Sequence, residues 1–246
     1  MGATGDAVAL APAPYAALIA PVIDRLVIGV HVASRDRGRA LGTEFGLIKA
    51  GYLVELRLAL PVRPVTPAGL LAITRYLPST ERDAEITTQV EQGMIRLDED
   101  GTMCATDRAR AFYRDLFPLH DTVASQLWQH RTATLPELSS LIERTLAAAA
   151  ESGGAAFGTA FPPYEPSCAG PALLLFNRLA TLRYHRADAH AAAWTAVGLT
   201  AVQAPGQGVQ RERIEAETNW LAGPPFEALD ATERLSLLAG LAALPG

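Results

Sequence analysis

Apolar residues near the start of the chain recur at three- and four-residue spacing. Leu18, Ile19, Val22, Ile23, Leu26 and Val27 form this stripe. The spacing predicts an amphipathic helix from Tyr15 to about Ala33. Arg35-Asp36-Arg37-Gly38 is expected to break it. A second helical run follows, with Leu41, Phe45, Ile48, Tyr52 and Leu56 as its buried stripe. Pro61 and Pro64 end regular structure.

The next segment is read from its caps and turns. Thr66-Pro67 supplies an N-cap and then a proline at the first helical position, opening a short helix to about Arg75. Leu77 to Thr80 makes a turn. Ser79 is expected to cap a second helix through Gln92, which Gly93 stops. Met94 to Leu97 reads as a strand and Asp98-Glu99-Asp100-Gly101 as a hairpin tip, where Asp-Gly accepts the positive φ of the turn. Thr102 to Ala105 returns as the partner strand. Thr106-Asp107 then caps a long helix through Leu127. Helix, turn, helix, two-stranded wing, helix is the order of a winged helix-turn-helix.

Beyond Trp128 a helix is expected from Leu135 to Glu151, on the stripe Leu138, Leu141, Ile142, Leu146 and Ala149. Phe157 to Gly170, rich in proline and aromatics, reads as a loop that either roofs a pocket or merely connects. From Pro171 a helix runs to Gly198. It is apolar nearly all round, which predicts a central place in the core, and Asn177 and Arg178 interrupt it. Leu199 to Pro205 reads as a turn and Gly206-Gln207-Gly208 as a separator. A charged helix follows from Arg211 to Leu221. Asp230 caps a last helix with Leu235, Leu237, Leu238 and Leu241 in its stripe. The expected fold is mainly α with a small two-stranded β wing, a winged helix-turn-helix embedded in a helical bundle. Residues 1–14 would be a flexible arm. Residues 15–130 would hold the N-terminal helices and the winged helix, with the wing at about 94–105. Residues 131–246 would form a helical domain.

Charge narrows the partners. The formal net charge of the 246 residues is −5. The helix that would read DNA carries Glu81, Asp83, Glu85 and Glu91 against Arg82, and the wing tip is Asp98-Glu99-Asp100. Such a surface repels phosphate, so DNA is not an expected partner. The winged helix then reads as a scaffold or dimer surface, and a homodimer stays open. Lys49 is the only lysine, which fits an Arg- and Ala-rich coding bias. Cys104 and Cys168 lie far apart, with neither metal spacing nor a disulfide framework, and are expected as buried free thiols. The start of the chain lacks the basic region and long apolar core of a signal peptide. Elsewhere Arg or Asp interrupts the apolar runs. Neither a membrane span nor a membrane partner is expected, and the cytoplasm is the expected location.

The densest chemistry is Leu182-Arg183-Tyr184-His185-Arg186-Ala187-Asp188-Ala189-His190, which holds two of the five histidines. On a helix Arg183, Arg186, His190 and Trp194 share a face, and His185 and Asp188 share a neighbouring one. Asp188, three residues on, is placed to fix the tautomer of His185 and raise its basicity, as a general base requires. Arg183 and Arg186 could clamp a carboxylate, phosphate or enolate. The alternative is a structural ion-pair network. His185 and His190 are five apart and point about 140° apart, so they cannot share a metal ion. No haem attachment motif and no Gly-x-Ser-x-Gly accompany them. No metal or cofactor is expected.

The motif from Arg183 to Trp194, with Gly198-Leu199-Thr200-Ala201, Arg213 to Asn219 and Pro224 to Leu229, resembles actinobacterial winged-helix proteins labelled MarR-like or SalK-like. The resemblance runs from about Thr66 to the C-terminus and includes the Ala105-Thr106-Asp107-Arg108 start of the post-wing helix. It implies a winged-helix fold, a clustered polar site and a place in specialised metabolism. Its label implies transcription. Two functions follow as expectations. The first is a small-molecule-binding protein. If it is an enzyme, the residues suit cofactor-independent acid/base chemistry: a lyase, cyclase, isomerase or hydrolase step. His185, Asp188 and His190 would be the catalytic groups. Arg183, Arg186, Tyr184, Asn177, Trp194, Tyr164 and Phe161 would bind substrate. The second is a ligand-responsive transcriptional regulator.

Overall fold

A single helix, α1 (Pro12–Glu44), runs for 33 residues where two helices were expected. At 1.5 Å per residue it is about 50 Å long. The computed structural model describes residues 11–199 and 209–246. Most of the expected arm, residues 1–10, therefore lies outside the described residues, as do 200–208 with most of the expected turn and separator. Residues 12–14 belong to α1, because Pro12 sits in the first turn, where an N–H has no partner to lose. Arg35-Asp36-Arg37-Gly38 does not break the helix. These side chains point outward, Asp36 pairs with Arg39 at 3.1 Å, and buried Ser34 and Leu41 carry the core stripe past them two turns apart. A mid-helix glycine costs only about 1 kcal/mol against alanine, which that packing offsets.

The helix ends at Gly46 instead. Its φ of 61° lets the Gly46 N–H reach Thr43 O and the Leu47 N–H reach Gly42 O, the paired bonds of a Schellman stop. The expected second run is thus cut short. Only α2 (Gly51–Glu55) remains, and Ile48 is 77% exposed rather than part of a buried stripe.

The capped segment forms largely as read. Thr66 accepts the Gly69 N–H and opens α3 (Pro67–Ile73). Helix α4 (Ser79–Glu91) follows, with Pro78 at its N-cap. Ser79 makes no capping bond, because the helix begins at Ser79 itself. Strands β1 (Ile95–Leu97) and β2 (Met103–Ala105) pair antiparallel, Arg96 opposite Cys104, around Gly101 at φ 80°. Val65 adds two backbone bonds to Met103 on the far side of β2. Thr106 then caps α5 (Asp107–Leu127).

After a 3-10 segment, Gln129–Thr134, comes α6 (Leu135–Ala149). The expected loop after it begins inside a helix, α7 (Ala155–Ala160), which buries Phe157. Its first N–H groups have a carboxylate partner from a distant helix, a tertiary bond that no local pattern reveals. The central helix α8 (Pro171–Ala196) packs against α1, α5, α6, α7 and α9 (Val209–Ala222). That explains why it is apolar nearly all round. A 3-10 segment, Pro224–Ala228, leads to α10 (Ala231–Ala242), which Asp230 and Glu233 open with a reciprocal capping box. Leu237 and Leu241 are buried there, whereas Leu235 is exposed.

Among the described residues the fold is therefore mostly helical with one small antiparallel sheet, and a main core that runs from Tyr15 to Leu244 stands beside a small cluster of Ala193, Trp194 and Ile214. The chain end is tied down by Trp128 Nε1 donating to Pro245 O and Arg25 donating to Leu244 O. By length and composition α1 could also cross a membrane, yet Tyr15, Ile19, Ile23, Leu26, Val27 and Val30 are buried within the protein. Neither thiol is fully buried. Cys104 is half-buried and Cys168 exposed, on a turn whose side chains face out.

Candidate functional site

The inner face of α1 is built from small and aliphatic side chains: Ala16, Ile19, Ala20, Ile23 and Val27. Opposite stands the motif of α8. Between them lies a partly open cavity of about 370 Å³, lined also by residues at and just after the ends of α2 and α3 and by Phe226. Arg183, Tyr184, His185, Arg186 and His190 all line it. Residues of both faces drawn for an ideal helix therefore line one cavity, together with residues of α1 and of the end of α3.

Asp188 is different. It does not line the cavity and it makes no hydrogen bond to His185. It pairs with Arg75, which follows α3, and accepts the N–H groups of Phe157 at 2.8 Å and Ala156 at 3.3 Å. Those are unpaired donors at the start of α7, so Asp188 acts as a distant helix cap. The expected Asp188–His185 dyad is not formed. His185 Nε2 lies 3.0 Å from Ser152 Oγ, and its ring packs edge-on against Phe157. Burial lowers the His185 pKa, and the charge of Asp188 only partly opposes that.

The carboxylate nearest in role is on α9. Glu215 Oε1 lies 3.7 Å from His190 Nε2, and Glu215 also meets Arg186 at 3.3 Å. Burial lowers the His190 pKa; Glu215 pulls it up, and Arg186 and Arg75 pull it down. Arg186 donates as well to Asn219 Oδ1 at 2.9 Å. Arg183 Nε donates to Asp24 of α1 at 2.6 Å. The Tyr184 hydroxyl donates to the Glu55 carbonyl at 3.2 Å, and burial raises its pKa.

The other expected ligand contacts lie away from the cavity. Asn177 is fully buried and donates to Tyr164 O. Tyr164 lines a separate groove beside Phe117 and Cys168, and Phe161 stacks on Phe157 at 5.1 Å. The 157–170 segment thus does not roof the cavity. Trp194 stands one turn past it, 4.5 Å from the His190 ring and edge-on to Tyr76. Among the described residues no three His, Cys, Asp or Glu side chains gather as metal ligands would.

Sequence reasoning missed Arg57 and His31. Arg57 follows α2, is 3% exposed and lines the cavity. Its guanidinium lies 4.8 Å from the Phe176 ring centre, and Nη1 donates to Val54 O at 3.0 Å. Its Nε and Nη2 are buried and have no partner among the described residues. The signal was present: Arg57 is the lone charge in Leu56-Arg57-Leu58-Ala59-Leu60. His31 lies on α1 one turn beyond Val27, packed edge-on against His120 and Phe176. Burial brings the His31 pKa down to about 3, helped by the charges of Arg57 and Arg183. At neutral pH the site therefore combines arginine cations with uncharged imidazoles. Compared with family models, curated proteins and solved structures, the chain has no match.

Proposed function

We propose that this protein binds a small organic molecule in the cavity between α1 and α8. The observation that carries the reading is the cavity itself, about 370 Å³, with an aliphatic wall from α1 facing the polar cluster of α8. Sites for small ligands have this size and this division between an apolar body and a few convergent polar groups. The order of residues 66–127 supports a winged helix, and the exposed Glu81, Asp83 and Glu91 of α4 support its use as scaffold rather than DNA reader. Cofactor-independent acid/base chemistry on the ligand, such as a lyase, cyclase, isomerase or hydrolase step, would fall to His190, which lines the cavity with Glu215 beside it.

A ligand-responsive regulator is the second reading. It is favoured by Arg75 and Tyr76, which line the cavity from the end of α3 and so connect its contents to the helix pair. Native mass spectrometry of the full chain tests the proposal. A bound small molecule should copurify, and Ala20→Phe, which fills the cavity, should release it. Failure of the chain to retain any small molecule, together with no thermal stabilisation by a library of apolar acids, amides and alcohols, would sink the reading.

A further inference from the structure

Four arginines line the cavity, and they are not equivalent. Arg75 is paired with Asp188, Arg183 with Asp24 and Arg186 with Glu215. Arg57 is the most deeply buried of them and has no salt bridge among the described residues. Glu55 also lines the cavity, but it is exposed, receives the Tyr184 hydroxyl and makes no hydrogen bond to Arg57.

The pattern of free donors on Arg57 is informative. Nη1 is committed to Val54 O, and Nε and Nη2 are buried and have no partner among the described residues. Those two atoms form one edge of the planar guanidinium. Their N–H bonds are parallel and spaced to meet the two oxygens of a carboxylate. The guanidinium carbon lies over the Phe176 ring and Nη1 is bonded to Val54 O, so the edge is held in place. A buried cation with an unpaired fork is unfavourable in an empty protein and favourable once an oxyanion fills it.

We propose that Arg57 is the anion receptor of this cavity, and that its ligand is an amphipathic monocarboxylate with an aliphatic or alicyclic body. This rests on the reading of the cavity as a ligand site. The body would lie along Ile19, Ala20, Ile23 and Val27, and the carboxylate would close the Nε/Nη2 edge. One free fork matches one carboxylate. The other three arginines already have carboxylate partners within the protein.

Isothermal titration of the full chain with octanoate and with octanamide tests this. The two probes share a body and differ in charge. Wild type should bind octanoate at least tenfold more tightly than octanamide. Arg57→Met should bring the two within about twofold. Arg57→Lys keeps the charge but loses the fork, and should lower the preference at least threefold. It also serves if the methionine variant does not fold. Ala20→Phe should weaken both probes together. Equal binding of the two probes by wild type overturns the anion assignment and leaves the cavity reading standing. A preference that survives in Arg57→Met, or in Arg57→Lys where the methionine variant does not fold, also overturns the assignment. Binding of neither probe, or binding that Ala20→Phe leaves unchanged, overturns both readings.

Discussion

Asp188 pairs with Arg75, 113 residues earlier in the chain, and not with His185 one helical turn before it. Both side chains are largely buried, at 10% and 14% exposure. The same carboxylate holds the N-terminus of α7, and Arg75 also donates to Ala72 O and Ala187 O. Removing one partner of such a pair strands a charge and two backbone donors. Asp188→Ala should therefore lose about 3 kcal/mol of stability in urea denaturation. Gly154→Ala should act on the same joint, because its Cβ would stand 2.7 Å from Asp188 Cγ. Overpacking there should cost about 2 kcal/mol. In the double variant the contacts with Asp188 Cγ and Oδ2 are gone and only the one with Cβ, at 2.9 Å, remains, so the combined loss should be smaller than the sum. Wild-type stability in Asp188→Ala would show that the carboxylate is free for other work.

That joint also shows what was legible in the sequence. Thr66, Thr106 and Asp230 were readable as caps, and Gly93 and Gly101 as a helix stop and a turn, because each rule spans only a few residues. The motif of α8 was readable as a cluster, and five of its polar side chains do line one cavity. Its partners were not readable. Whether Asp188 serves His185 or Arg75 depends on where α3 and α7 dock, which local spacing does not encode. The continuity of α1 past Gly38 was hidden for the same reason, since tertiary packing outweighed a local breaker. Arg57 could have been suspected as one charge among leucines, but its free edge is a property of the packed structure.

Acid should destabilise the protein early. His31 and His120 are held neutral mainly by burial, His31 down to about 3 and His120 well below the ordinary value of 6.5. The unfolded chain takes up protons at these positions below about pH 6.5, and the folded chain does not. Stability contributed by the neutral rings is thus complete above that pH and falls as pH drops below it, for His31 through the window between 6.5 and about 3. Each histidine should add a slope of about 1.4 kcal/mol per pH unit. Between pH 6.5 and 5 ordinary carboxylates stay charged, so the slope there reports the imidazoles. His31→Leu should flatten it. A wild-type urea midpoint that stays constant from pH 7 to pH 5 would contradict this account.

Arg57→Met should leave the unliganded protein as stable as wild type, or more stable by up to about 2 kcal/mol. The change removes a bond to Val54 O and the contact with Phe176. It also removes a buried charge whose Nε and Nη2 have no partner among the described residues. Methionine replaces the aliphatic stem, is shorter by the end of the guanidinium, and packs well against an aromatic ring. Thermal unfolding without added ligand measures the balance. A structural arginine would behave oppositely and lose about 3 kcal/mol, and the probe preference of Arg57→Lys then decides whether it also receives a ligand.

The chain should not retard duplex DNA. Phosphate binding needs a local excess of arginine or lysine and weakens steeply with salt. On α4 the exposed charges are Glu81, Asp83 and Glu91, while Arg82 is half-buried and 3.6 Å from Asp83. At the hairpin tip Glu99 and Asp100 are exposed, and Arg96 is already paired with Asp98. The single lysine, Lys49, pairs with Glu85 of α4 at 3.1 Å. Each surface that a winged helix would press on the backbone is therefore acidic or neutralised. In a gel-shift series at 50 mM salt, with micromolar protein and a 30-base-pair duplex, the free band should persist, and Asp83→Arg with Glu91→Arg should begin to deplete it. Micromolar binding by wild type that vanishes as salt rises would revive the regulator, with the cavity as its sensor.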